Sequence, residues 1–189
     1  LDPNDAYSKK GMAWIVYSHE RNPDEALRIL NSITENYKAP DYYLLKAQIF
    51  EFKGDIASKD AQLKLYKNAV ANESYGAMYN TYNVLLYTNE KIHLQKALSI
   101  AQEEVDHRHS PQSYGFLAWS NYNNGHIDKA LKIVEKYVVG HTSEPMAMYH
   151  SAEIYKAAGQ LNKASELKDG LMESSYELGP LVAKKVSRI

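Results

Sequence analysis

Residues 112–142, QSYGFLAWSNYNNGHIDKALKIVEKYVVGHT, decide the fold. Tyr114, Leu117, Ala118 and Tyr122 recur at helical spacing, and Asn124-Gly125 then supplies a left-handed stop. A second amphipathic run follows, with Ala130, Leu131, Val134 and Val138 on one face. The stretch is therefore a helix hairpin. The next residues copy it: Met148, Ala152 and Tyr155 lead to Gly159, followed by Leu161, Ala164 and Leu167. Gly125 to Gly159 is 34 residues, and so is Ala130 to Ala164. Two separate markers at one offset define a repeat.

The repeat extends to both sides. Ala26, Ala61, Ala97, Ala130 and Ala164 stand 35, 36, 33 and 34 residues apart, each near the start of an amphipathic run. A period in this range marks stacked supersecondary units. A small residue at a fixed phase predicts a close approach of two helices in every unit. In the first unit, Asn22 caps a helix that Pro23 opens, and Asp24 and Glu25 complement its dipole. Leu27, Leu30 and Ile33 continue that helix. In the second, Ala47, Ile49 and Phe50 precede Gly54-Asp55, and Ala61, Leu65 and Ala69 form the following face. The third unit is irregular: its first helix spans about 75–87, with no glycine stop, and Thr88-Asn89-Glu90 makes the turn.

Pro40, Pro111, Pro145 and Pro180 fall between units. Proline disfavours helix in the residue before it and lacks an N–H, so it closes one unit and opens the next. The second unit lacks such a proline, and its boundary is placed near Asn72-Glu73-Ser74. After Pro180, Val182, Val186 and Ile189 share a face, predicting a short helix that covers the last repeat. The expected organisation is one repeat domain over 1–189. Its units are 5–39, 40–73, 74–110, 111–144 and 145–179, with a capping helix over 180–189.

The order of aromatic, small residue, aromatic, Gly turn, Ala and closing Pro resembles the tetratricopeptide repeat. Tyr114, Leu117-Ala118, Gly125, Ala130 and Val134 carry the likeness best, followed by Met148, Ala152, Tyr155, Gly159 and Ala164. The third unit departs most. The opening Leu1-Asp2-Pro3-Asn4 is similar to the end of a preceding repeat, so the chain is expected to be the C-terminal piece of a longer bacterial array. The phrase Tyr176-Glu177-Leu178-Gly179-Pro180 is similar in style to bacterial multi-repeat proteins. The resemblance implies an all-α, right-handed superhelical solenoid of about five antiparallel helix pairs plus the C-terminal cap. It also implies that the first helices line a concave groove.

Composition narrows the function. The 189 residues carry a formal net charge of −1, with a pI near 6.7. Nucleic-acid binding needs a basic track, so nucleic acid is not expected as a partner. The chain has no cysteine, which excludes disulfides, thiolate metal sites and thiol nucleophiles. No apolar run approaches the ~20 residues that span a bilayer. The compartment, cytoplasmic or periplasmic, stays open.

No phosphate loop, nucleophile elbow or carboxylate pair appears, and no catalytic residue, cofactor or metal is expected. His107-Arg108-His109 is the densest histidine spot, but imidazoles two apart on a helix diverge, and a solvated helix end is the plainer reading. His19-Glu20 lacks the second histidine of a zinc-protease helix. Asn72-Glu73-Ser74 matches a glycosylation acceptor, a pattern too common to carry weight.

Tyrosine is the telling residue: 16 Tyr stand against 3 Phe and 2 Trp. Twelve of those tyrosines, and both tryptophans, fall in the expected first helices. Trp14, Tyr17, Trp119, Tyr122 and Tyr149 are the candidate groove residues. Packing accounts for about half of the first-helix aromatics, Tyr155 among them. The comparable face also offers Lys10, Leu44, Gln48, Gly115 and Glu153. One lysine does not make the carboxylate clamp that some such repeats use. The expected function is a non-catalytic scaffold that binds a peptide or a partner's helix. The alternatives are a single-stranded nucleic-acid reader, a regulatory array attached to an upstream enzyme or envelope domain, and self-association.

Overall fold

The computed structural model describes residues 5–189, so the tetrapeptide Leu1-Asp2-Pro3-Asn4 lies outside the described residues. The fold is all-α. The helices are α1 (Ala6–Ser18), α2 (Pro23–Thr34), α3 (Pro40–Lys53), α4 (Ile56–Val70), α5 (Asn80–Asn89) and α6 (Leu94–His107). They continue as α7 (Pro111–Asn123), α8 (Ile127–Tyr137), α9 (Pro145–Ala157), α10 (Leu161–Glu173) and α11 (Ser175–Val186). Each odd helix packs against the even one after it, from α1 with α2 to α9 with α10, making five antiparallel pairs. Pro23, Pro40, Pro111 and Pro145 each open a helix, where their missing N–H has no intrahelical partner to lose. Side chains of Asn22, Asp55, Ser110 and Glu144 accept a backbone N–H of the first turn.

The turn inside each pair fixes where its second helix begins. Gly54, Gly125 and Gly159 adopt positive φ of 77°, 83° and 76°. Beyond them, the N–H groups of Asp55, His126 and Gln160 donate to the carbonyls of Phe50, Asn121 and Tyr155, at 2.9–3.0 Å. Such bonds satisfy carbonyls that the helix end leaves open. Arg21 and Lys91 take the same left-handed conformation without being glycine (φ 57° and 54°). This is how the third unit turns without a glycine stop.

Two local expectations are corrected. In the second unit, Gly54 and the Asp55 cap start α4 at Ile56, so its fourth position is Lys59 and not Ala61. Ala26, Ala97, Ala130 and Ala164 all hold that fourth position, and all are buried. Ala61 and Leu65 are exposed, and Leu63 and Tyr66 fill the core instead. A charged residue before an alanine, Asp60-Ala61, imitated the repeat two residues out of register. In the third unit, α5 starts at Asn80 rather than near 75, because Glu73–Tyr75 forms a 3₁₀ turn and Gly76 has φ 49°.

The chain divides into two compact units. One comprises the residues up to Tyr75 together with Ser175–Lys184; the other comprises Gly76–Ser174 with Lys185–Ile189. In the first, Ala13, Tyr17, Leu30, Ile33, Leu45 and Ile49 form one core cluster. In the second, Ala118, Ala130, Val134, Ile154, Tyr155 and Ala164 pack together, with Ile189 against them. The ammonium groups of Lys156 and Lys168 donate to the carbonyls of Arg188 and Ser187, just past the end of α11. Val186 is fully buried. The terminal residues thus close the core of α9 and α10, with Ile189 as an apolar contact. Helical geometry is interrupted at Gly179 (φ 74°, ψ 165°), so within α11 the stretch from Pro180 to Val186 runs as a helix of its own, preceded by a short turn from Ser175.

Candidate binding site

In the second unit, the first helices α5, α7 and α9 lie side by side, α7 touching both of the others. The helices run close at Gly115, where an added Cβ would stand in ordinary contact with the Ala147 Cβ at 3.7 Å. The alignment gathers Trp119, Tyr122 and Tyr149 into one cluster. The Trp119 ring stacks on Tyr122 (centroids 5.0 Å apart, planes 22°) and on His150 (4.1 Å, 9°). Tyr149 lies 6.2 Å from Trp119 at 51°. The indole N–H donates to the Thr88 hydroxyl at 3.1 Å, tying α7 to α5. Trp119 and Tyr149 are 7% and 6% exposed, whereas Tyr122 is half-buried. The first two support the ring that Tyr122 presents.

Electrostatics follow from that burial. Desolvation pushes the Tyr149 hydroxyl far above its ordinary range, and the nearby Glu153 carboxylate adds to the shift. Tyr122 is raised for the same reasons in the same order. His150, 4% exposed, has its pKa pushed down to about 3, first by desolvation and then by the charge of Lys185. The cluster therefore keeps neutral rings and phenolic hydroxyls, and it offers apolar area with polar tips. Sequence reasoning missed His150 and Thr88. Neither carries a local motif; His150 is buried and stacks on Trp119 across helices, which periodicity does not report.

In the first unit, Trp14 and Tyr17 meet edge to face at 5.8 Å, and Tyr17 meets Phe52 at 5.6 Å. Tyr17 is fully buried, so it is a core residue of α1 and α3, while Trp14 is half-buried. Burial drives the Tyr17 hydroxyl well above its usual range, with Glu51 adding and Arg21 opposing. Lys10 does not stand free; its ammonium pairs with Asp41 at 2.5 Å.

The remaining candidates are ordinary. The His109 ring bonds the Tyr114 hydroxyl at 3.3 Å, and His107 lies exposed in the last turn of α6. Among the described residues no cluster of three or more His, Cys, Asp or Glu side chains is arranged to hold a metal. No helix of the described residues is long and apolar enough to cross a membrane.

No family model matches the sequence, and no curated protein matches it. Among solved structures the chain is similar to YrrB, described as a TPR protein with an unusual peptide-binding site. That similarity is 16% sequence identity and a TM-score of 0.46, over 100% of this chain and 94% of that one. The present chain itself repeats paired helices, a left-handed turn and, in four pairs of five, a buried alanine at the fourth position of the second helix. The fold is tetratricopeptide-like.

Proposed function

We propose that this chain is a non-catalytic protein-interaction module, binding a peptide or a partner helix on the face of its first helices. The observation that carries this reading is the α5–α7–α9 cluster. Its buried rings hold Tyr122 rigid and half-exposed beside Glu153. A rigid aromatic with a polar tip is a common binding anchor, because little side-chain entropy is lost when it is covered. Trp14, the half-buried first-helix aromatic of the other unit, is the second anchor, and Tyr17, Trp119 and Tyr149 act beneath the surface as supports. The partner is an apolar or aromatic peptide, since the cluster offers rings and few charges. Binding then depends weakly on salt.

The test starts from a random-peptide display selection on the parent protein. Selected peptides are then measured against Tyr122→Ala and against Lys132→Glu on the exposed face of α8. Truncating a central anchor costs ~2 kcal/mol or more, so Tyr122→Ala weakens them by roughly thirty-fold or more while Lys132→Glu leaves them unchanged. The reverse pattern places the site on the second helices and defeats the proposal. Steeply salt-dependent binding of a single-stranded poly-anion, with no peptide selected, favours the nucleic-acid reading instead.

A further inference from the structure

The first-helix face of the first unit is occupied by the chain itself. Ser175–Lys184 belongs to this unit, and Gly179 lies against Trp14 of α1 and Gln48 of α3. A Cβ on Gly179 would come 2.8 Å from the Trp14 ring and 3.5 Å from the Gln48 amide nitrogen. That approach leaves no room for a side chain. The backbone makes the same demand, because φ 74° with ψ 165° is a conformation that glycine alone adopts readily.

The residues around Gly179 are packed in the same manner. Leu178 is 2% exposed, and Gly179 and Pro180 are buried with it. Tyr176 lies against His19, ring centroids 4.6 Å apart at 46°. Glu177 between them faces solvent. Proline suits the buried end of such a segment, since it brings no N–H that would need a partner. The segment meets its unit through Gly179 on Trp14 and Gln48 and through Tyr176 on His19.

We propose that Trp14, His19 and Gln48 form a recognition site for a turn of the type Tyr-x-Leu-Gly-Pro, and that Tyr176–Pro180 is its resident, displaceable ligand. The inference rests on the reading of the chain as a peptide-binding module and names one ligand class for it. Trp14 selects glycine by contact, the buried leucine is the apolar anchor, and the His19 ring takes an aromatic. A tethered segment acts at a high effective concentration, so an external peptide of the same chemistry binds weakly until the segment is loosened. Partner binding and release of the C-terminal segment are then one equilibrium.

The experiment uses the full chain and a fluorescein-labelled peptide of residues 174–184, read by fluorescence anisotropy. Gly179→Ala removes the fit of the resident segment, and Leu178→Ser removes its apolar anchor without a backbone demand. After circular dichroism shows helix content like the parent's, both variants bind the peptide at least about ten-fold tighter than the parent, as expected when a mostly closed site is opened. Adding Trp14→Ala to either variant abolishes the gain. A peptide carrying alanine in place of the glycine does not bind. Equal affinity of parent and variants, or folded variants that bind nothing, overturns the proposal and leaves the segment a structural clasp. Display-selected peptides that still depend on Tyr122 in that case show that the broader binding role stands.

Discussion

His150 makes the stability of the α5–α10 unit depend on pH in a calculable way. The ring is buried against Trp119, and its pKa falls from 6.5 to about 3 because the imidazolium would lose its hydration there. In the unfolded chain the same group protonates near its ordinary value. Between these two values the unfolded state binds the extra proton, so stability is full above pH ~6.5 and falls as pH drops toward ~3. Going from pH 7 to pH 5 crosses about 1.5 units below the unfolded pKa, a loss of about 2 kcal/mol at 1.36 kcal/mol per unit. Carboxylates add their own pH dependence, so the measurement is a difference. Urea unfolding of His150→Phe is compared with its parent at both pH values, in a Trp14→Phe background where Trp119 alone reports. Phenylalanine keeps a flat ring for the stack and removes the proton site. The variant loses about 2 kcal/mol less than the parent on acidification. An equal loss in both proteins would refute the claim that His150 is held neutral by burial.

Two further substitutions test the register of the repeat and the approach of its helices. Ala130→Leu crowds a fully buried fourth position and destabilises by ~1–3 kcal/mol, whereas Ala61→Leu on the exposed side of α4 changes stability by less than ~0.5 kcal/mol. Equal effects in denaturant titrations would return Ala61 to the repeat phase. Gly115→Ala stabilises by up to ~1 kcal/mol, since it replaces a helix-interior glycine and its new Cβ meets Ala147 at an ordinary 3.7 Å. A fall in melting temperature would mean that α7 and α9 sit closer than this.

Local chemistry was enough to read the helix pairs. Periodicity, the prolines at 23, 40, 111 and 145, and the glycines at 54, 125 and 159 act within a few residues, so they are legible without knowing what packs where. The same locality explains the errors. Lys59 and not Ala61 holds the fourth position because the turn at Gly54, not the alanine, sets the phase of α4. Likewise, α5 starts late because Gly76 prolongs the turn before it.

An all-α array of helix pairs, its approximate period and the gathering of aromatics in the first helices are legible in the order of residues alone. Which of those aromatics reach the surface depends on packing between distant segments. Trp119 and Tyr149 sink because α5, α7 and α9 align across 30 or more residues of chain, and Tyr17 sinks between α1 and α3. Packing also brings Gly179 back against Trp14 and buries Leu178 and Pro180 on either side of it. Burial is a property of neighbours distant in sequence, and one chain's periodicity carries no term for them.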